Sequence, residues 1–238
     1  YGGANNQRGR GASEAAKYGA IGALVRSLTH ALDTFPHTGG MYYEDGIGKI
    51  PALAISTVHA SELSHALDKD PNLTYTMNLS CKLYDDVVQA NVIGEIPGSE
   101  FPDEYIVVGG HLDSWDIGEG AHDDGAGIVQ SIEVLRAFKA LGIPLKRTLR
   151  VVLFINEENG NNGGKTYAAN VAEFGLKHYA AIESDAGGFS PRGFRIEGSD
   201  KQYELFQSWE SLFEPYSVHQ FRRGFSGVDI RPLKNDTI

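Results

Sequence analysis

Three short apolar runs, residues 105–108, 149–155 and 179–182, each end in a cluster of histidine or carboxylate side chains. The runs show little polar alternation, as expected of central strands covered on both faces. Between the first two, Ile128, Ile132, Leu135 and Phe138 recur at helical spacing, and Gly142 with Pro144 stops the helix. A second helix is predicted over about 164–172. The order β-α-β-α-β specifies an α/β fold with a mainly parallel central sheet flanked by helices. Ligands of such sheets bind outside the carboxyl ends of the strands. The polar clusters fall at those ends: His111 with Asp113, Glu157 with Glu158, and Glu183 with Asp185. A fourth cluster, His122-Asp123-Asp124, stands at the entrance to the helix near Gly125.

The remaining chain divides around this core. A Gly-rich loop opens it, followed by a helix from about Ser13 with Ala15, Ala16 and Ala20 as its small-residue face. Strands are predicted over 21–25 and 50–55, and a helix from Ser56 or Thr57 to about Leu67. This part carries no catalytic cluster, so residues 1–70 are expected to form a separate small unit, with a boundary near Pro71 and a catalytic unit over 71–238. Beyond the boundary Tyr75, Met77, Leu79, Cys81 and Leu83 alternate with polar residues. That period of two predicts a half-buried strand, pairing antiparallel with a strand over 90–96 at the sheet edge. An amphipathic helix is predicted over 202–213.

Composition narrows the partners. The net charge of -10 argues against a nucleic-acid or anionic-membrane surface. No run of 18 apolar residues is present, so no membrane span is expected. Cys81 is the single cysteine and excludes an intrachain disulfide. No secretory signal is visible; the chain starts without methionine and stops without a closing element, as expected of a fragment or a processed chain. No serine-nucleophile elbow, P-loop or dinucleotide fingerprint occurs.

Histidine and carboxylate donors at one sheet edge suit zinc, with manganese or cobalt as alternatives. Each cluster alone has a bland explanation. Asp124 or Asp123 could simply cap a helix, and Asp185 could serve a turn before Gly187-Gly188. Four together at one edge point to a metal site. Adjacent glutamates after a buried strand are costly unless a cation is near. One of the pair would bind metal and the other would act as general base. Asp123 is favoured as a bridge between cations and Asp124 as the cap. His30, His59, His65, His178 and His219 lack ligand-type spacing; His122 is a weak ligand candidate, and His37 lies in a loop of the first unit.

The motifs HLDSWDIGEGAHDDGAG, FINEENGNNGG and IESDAGG resemble the co-catalytic di-zinc exopeptidases, a family that includes carboxypeptidase Q-like enzymes and bacterial double-zinc aminopeptidases. The stretches YGGANNQRGRGASEAAKYGAIGALVRS and FPHTGGMYY resemble the carboxypeptidase Q-like branch, where they belong to a protease-associated-type domain inserted into the catalytic domain. The resemblance implies two zinc ions. It implies His111 and Asp185 on one, Asp123 as bridge, Glu158 on the other, Glu157 as general base and Asp113 orienting His111. It further implies that a histidine ligand lies beyond residue 238 and that the catalytic domain begins before residue 1. The expected activity is metal-assisted hydrolysis of small unblocked peptides or dipeptides, in a secreted or extracytoplasmic protein, with a homodimer as a further option. An aminopeptidase of the same family and a non-catalytic peptidase-like module are the competing readings.

Overall fold

The computed structural model describes residues 5–37, 39–116, 118–185 and 187–234, in two compact units divided between Asp86 and Val87. Within the first unit, helix α1 spans Asn5–Lys17, strand β1 Ala23–Arg26, strand β2 Ala52–Ile55 and helix α2 Thr57–Lys69. The two strands pair in parallel in a sheet of their own. Ser56 caps α2 by accepting from the His59 N–H. Helix α1 starts well before Ser13 and runs through Gly9 and Gly11. Each interior glycine costs a helix about 1 kcal/mol. Tertiary contacts offset this: the Gly9 carbonyl accepts from the Tyr42 N–H at 2.7 Å, and Ser13, fully buried, accepts from Glu44 N–H at 2.9 Å.

The strand expected over 75–83 is absent. Alternation suits a strand only where a partner ladder exists, and none forms here: Tyr75, Leu79 and Leu83 are exposed. Residues 71–86 group with the first unit, so the division comes later than the expected boundary at Pro71.

The second unit is built on four strands: β3 (Val92–Ile96), β4 (Phe101–His111), β5 (Arg147–Phe154) and β6 (Lys177–Glu183). Their order is β3-β5-β4-β6, with β4 parallel to both neighbours and β3 antiparallel on β5. The antiparallel partner of residues 92–96 is therefore β5. Helix α3 (Gly125–Leu141) follows β4, and helix α4 (Asn162–Glu173) follows β5. Alternate residues of the strands feed two cores. Val107, Val152 and Phe154 pack with Tyr167 and Ala168 of α4 and with Ile230 and Leu233. Val108, Leu149, Val151 and Leu153 face Ile128, Leu135 and Phe138 of α3. Each such buried side chain contributes about 1.5–3 kcal/mol, so the strand ends that carry the polar clusters stand on a rigid platform.

Beyond β6, strands β7 (Gly193–Ile196) and β8 (Gln220–Arg223) form a second small parallel sheet, which the apolar pattern did not reveal. The helix expected over 202–213 is two: α5 (Asp200–Ser208), opened by a Ser199–Gln202 capping box, and the short α6 (Glu210–Phe213). Phe206 and Phe213 pack with Ile196 and Phe221 of this sheet and with Val218 just before β8. Among the described residues no helix is long and apolar enough to cross a membrane.

Candidate metal centre

In the parallel register His111 at the end of β4 lies opposite Phe154 of β5, and Gly109 lies opposite Glu183 of β6. The turns after β5 and β6 therefore open at the same sheet edge as His111. The imidazole is 1% exposed. Its Nδ1 lies 2.9 Å from the Asp113 carbonyl oxygen. A carbonyl only accepts, so Nδ1 carries a hydrogen and Nε2 is left to face the cluster. Nε2 lies 3.2 Å from Asp185 Oδ1, 3.2 Å from Asp123 Oδ1 and 4.0 Å from Glu157 Oε2.

Two overlapping groups of donor atoms result. His111, Asp123 and Asp185 offer atoms all within 4.8 Å of one another, and so do His111, Glu157 and Glu158. The edge thus brings together every residue singled out as a metal ligand or general base. Asp113 is used differently from expectation. Its carbonyl holds the imidazole, while its carboxylate accepts from the N–H groups of Glu157 at 3.0 Å and Glu158 at 3.1 Å. It ties the glutamate turn to the β4 loop.

Asp124 is the N-cap of α3, accepting from Gly127 N–H at 3.0 Å. Its other oxygen accepts from the His111 N–H at 2.9 Å. A Cβ on Gly110 would collide with that carboxylate, which is why a glycine precedes the histidine. His122 tilts against Phe189 at 5.5 Å and is in neither donor group.

The electrostatics are those of a site that calls for a cation. Among the described residues the ion pairs of Asp123, Glu157 and Asp185 are all with His111. Burial disfavours charge on His111, but the hydrogen bond and charge of Asp185 outweigh it and raise the imidazole to about 10. Burial, then Asp123 and Glu157, push Glu158 up to about 7. Glu157 is raised by burial and by Asp185 and Glu183, against the opposing pull of His111. Among the described residues the Glu158 Oε1 atom is buried without a hydrogen-bond partner. A proton on Nε2 or a metal ion among these oxygens would relieve the same repulsion. One imidazole nitrogen with several carboxylate oxygens is a donor set that zinc accepts. The residues present fit the metal.

These donors, on this fold, decide the lineage. The pattern of Peptidase family M28 matches residues 91–238. The chain belongs to Peptidase family M28. Its mixed sheet flanked by helices is the architecture of a solved M28 peptidase. The chain is 38% identical over 234 residues to carboxypeptidase Q of Bos taurus, covering 97% of this chain and 49% of that protein. A crystal structure of a peptidase M28 precursor from Shewanella amazonensis SB2B matches with a TM-score of 0.83 at 37% identity, over 96% of this chain and 52% of that one. BSAP, a zinc aminopeptidase from Bacillus subtilis, shares the fold at a TM-score of 0.61 and 21% identity, over 93% of this chain and 53% of that one. The chain thus spans about half the length of the curated relatives it matches.

Sequence patterning missed one acidic residue of this region. Asp229 is fully buried, and neither carboxylate oxygen has a hydrogen-bond partner among the described residues. Burial, then Glu183 and Glu157, push it up to about 8. A lone acid between Val228 and Ile230 was the available signal. Glu183, by contrast, was seen, but its partners lie far along the chain at Val228, Asp229 and Ile230.

Proposed function

We propose that this chain carries the catalytic core of a zinc exopeptidase acting on small peptides with unblocked ends. The observation that carries the reading is His111 Nε2 lying 3.2 Å from both Asp123 and Asp185, in an M28 chain. His111 and Asp185 would hold one zinc, Glu158 the other, and Asp123 would bridge them. Bound zinc supplies Lewis acidity toward the scissile carbonyl and acidifies the attacking water. Glu157 accepts the proton of that water at its carboxylate and returns it to the leaving amine. Asp113 keeps Glu157 and Glu158 turned toward the imidazole through their N–H groups. The kinship with carboxypeptidase Q favours carboxypeptidase or dipeptidase specificity over aminopeptidase specificity, and a secreted or extracytoplasmic location. Residues 1–70 would be part of a protease-associated-type insert, and a homodimer is the assembly to look for.

The test is metal analysis of the intact protein beside a dipeptide panel. Two zinc ions per molecule, and hydrolysis of dipeptides with free ends but not of end-blocked ones, are expected. His111→Ala should lose zinc and hydrolysis together. A His111→Ala protein that keeps its zinc and its activity would refute the reading.

A further inference from the structure

Strand β6 carries an acid that is not in either donor group. Glu183, on β6 and two residues before Asp185, turns its carboxylate into a nest of three successive N–H groups. Oε1 accepts from Val228 at 2.9 Å; Oε2 accepts from Asp229 at 2.9 Å and Ile230 at 3.0 Å. Gly227 makes the approach possible, because a Cβ there would lie 2.6 Å from the Glu183 carboxyl carbon. The same segment is held from the other side. The Val228 carbonyl accepts from Asn161 Nδ2 at 2.8 Å. Asn161 in turn closes the loop that carries both glutamates, its N–H donating to the Asn156 carbonyl at 2.6 Å. Ile230 and Leu233 then anchor the segment in the core beside Val107 and Phe154.

Residues 227–230 therefore form a strap between the two turns that present Asp185 and the Glu157–Glu158 pair. An apolar side chain at position 183 would leave the Val228, Asp229 and Ile230 N–H groups without this acceptor. A carboxylate there adds negative charge to an edge already crowded with it. Such an arrangement is worthwhile where it fixes geometry around a cation: partners behind the ligands typically set about 10–100-fold in metal affinity.

We propose that Glu183 is a positioning residue for the metal centre, holding Asp185 and, through the Val228–Asn161 link, the glutamate turn in one frame. The inference rests on the zinc-peptidase reading. It predicts that Glu183→Gln, whose amide turns an NH₂ toward N–H donors, binds zinc about 10–100-fold more weakly. Competition with a chromophoric chelator on the intact protein measures that affinity. The visible spectrum of the cobalt(II)-substituted protein should change as well. Phe221→Ala is the control: it opens the separate core around Ile196 and Val218, lowering thermal stability while leaving zinc affinity and the cobalt spectrum unchanged. If Glu183→Gln fails to fold, Asn161→Gly takes its place, since glycine keeps the left-handed backbone at φ 55° and removes only the side-chain bond to Val228. It too should weaken zinc and alter the cobalt spectrum.

A folded Glu183→Gln protein with unchanged zinc affinity and spectrum would overturn the proposal. So would Phe221→Ala weakening zinc as much as Glu183→Gln, and so would Asn161→Gly leaving both readouts unchanged where it stands in. An unaltered protein that binds no zinc at all would sink the peptidase reading itself, and this proposal with it.

Discussion

Two buried histidines sit at opposite ends of one sheet and meet opposite fates. His111 closes β4 among carboxylates and is raised to about 10. His178, near the start of β6, pairs across the ladder with Tyr105. Its Nε2 lies 2.9 Å from the Tyr167 hydroxyl, and that hydroxyl accepts from Arg150, which pairs with Glu95. Burial, then the Arg150 charge, lower His178 to about 4. Burial alone acts the same way on both rings, against the charged form. The sign is decided by what the rest of the sheet end supplies. One end supplies uncompensated carboxylates and wants a cation; the other has its own arginine, paired with Glu95. A site and a structural polar core are distinguished here by neighbours, not by residue type.

The largest effect should come from the His111 end. Glu157→Gln should keep its zinc and lose about 10²–10⁴-fold in turnover, because the amide cannot accept the water's proton. Steady-state kinetics with metal analysis checks this, and unchanged kcat would remove Glu157 from its role. At the other end, His178→Phe should leave zinc content untouched. It should cost about 1–3 kcal/mol in denaturant unfolding, since the Tyr167 hydroxyl loses a buried partner. A loss of zinc in that variant would erase the contrast between the two ends.

The two ends should also separate by pH. His178 is lower in the fold than in the unfolded chain, so the unfolded state binds the extra proton. Its contribution is present above about 6.5 and is lost as pH falls toward about 4. His111 without metal is raised, so its contribution is present below about 6.5 and is lost as pH rises toward about 10. Thermal melts with and without a chelator should therefore differ on the alkaline side and coincide on the acid side. Wild type should lose stability relative to His178→Phe between these acid limits. The smallest effect belongs to Glu95→Gln. Its pairing with Arg150 is partly exposed, and such pairs contribute at most about 1 kcal/mol. Zinc affinity should not move.

How much of this was legible beforehand follows from the range of each signal. The runs 105–108, 149–155 and 179–182 are local, and each became a strand of the expected sheet. His111, Asp123, Glu157, Glu158 and Asp185 directly follow those strands or open the helix after one, so their convergence could be anticipated from position. Asp113 was noticed for its place next to the histidine, yet its carboxylate serves amides 44 and 45 residues away. Asp229 and the nest around Glu183 depend on a segment returning from 45 to 47 residues away, with no periodic mark. The run at 75–83 shows the converse failure: a clean local period with no neighbour to pair with. Helix α1 starts earlier than its Gly-rich opening suggests, because contacts from the distant Tyr42 and Glu44 amides support it.

The carboxylate of Asp124 accepts from residues on two different elements, one oxygen for His111 N–H and one for Gly127 N–H. Neither amide can be released while that side chain stays in place. In deuterated water the two amides should therefore exchange as one event, though they belong to a strand end and a helix start. Their shared protection would measure how often the first turn of α3 opens. Each such opening would leave the backbone that carries the imidazole unlatched for the same interval.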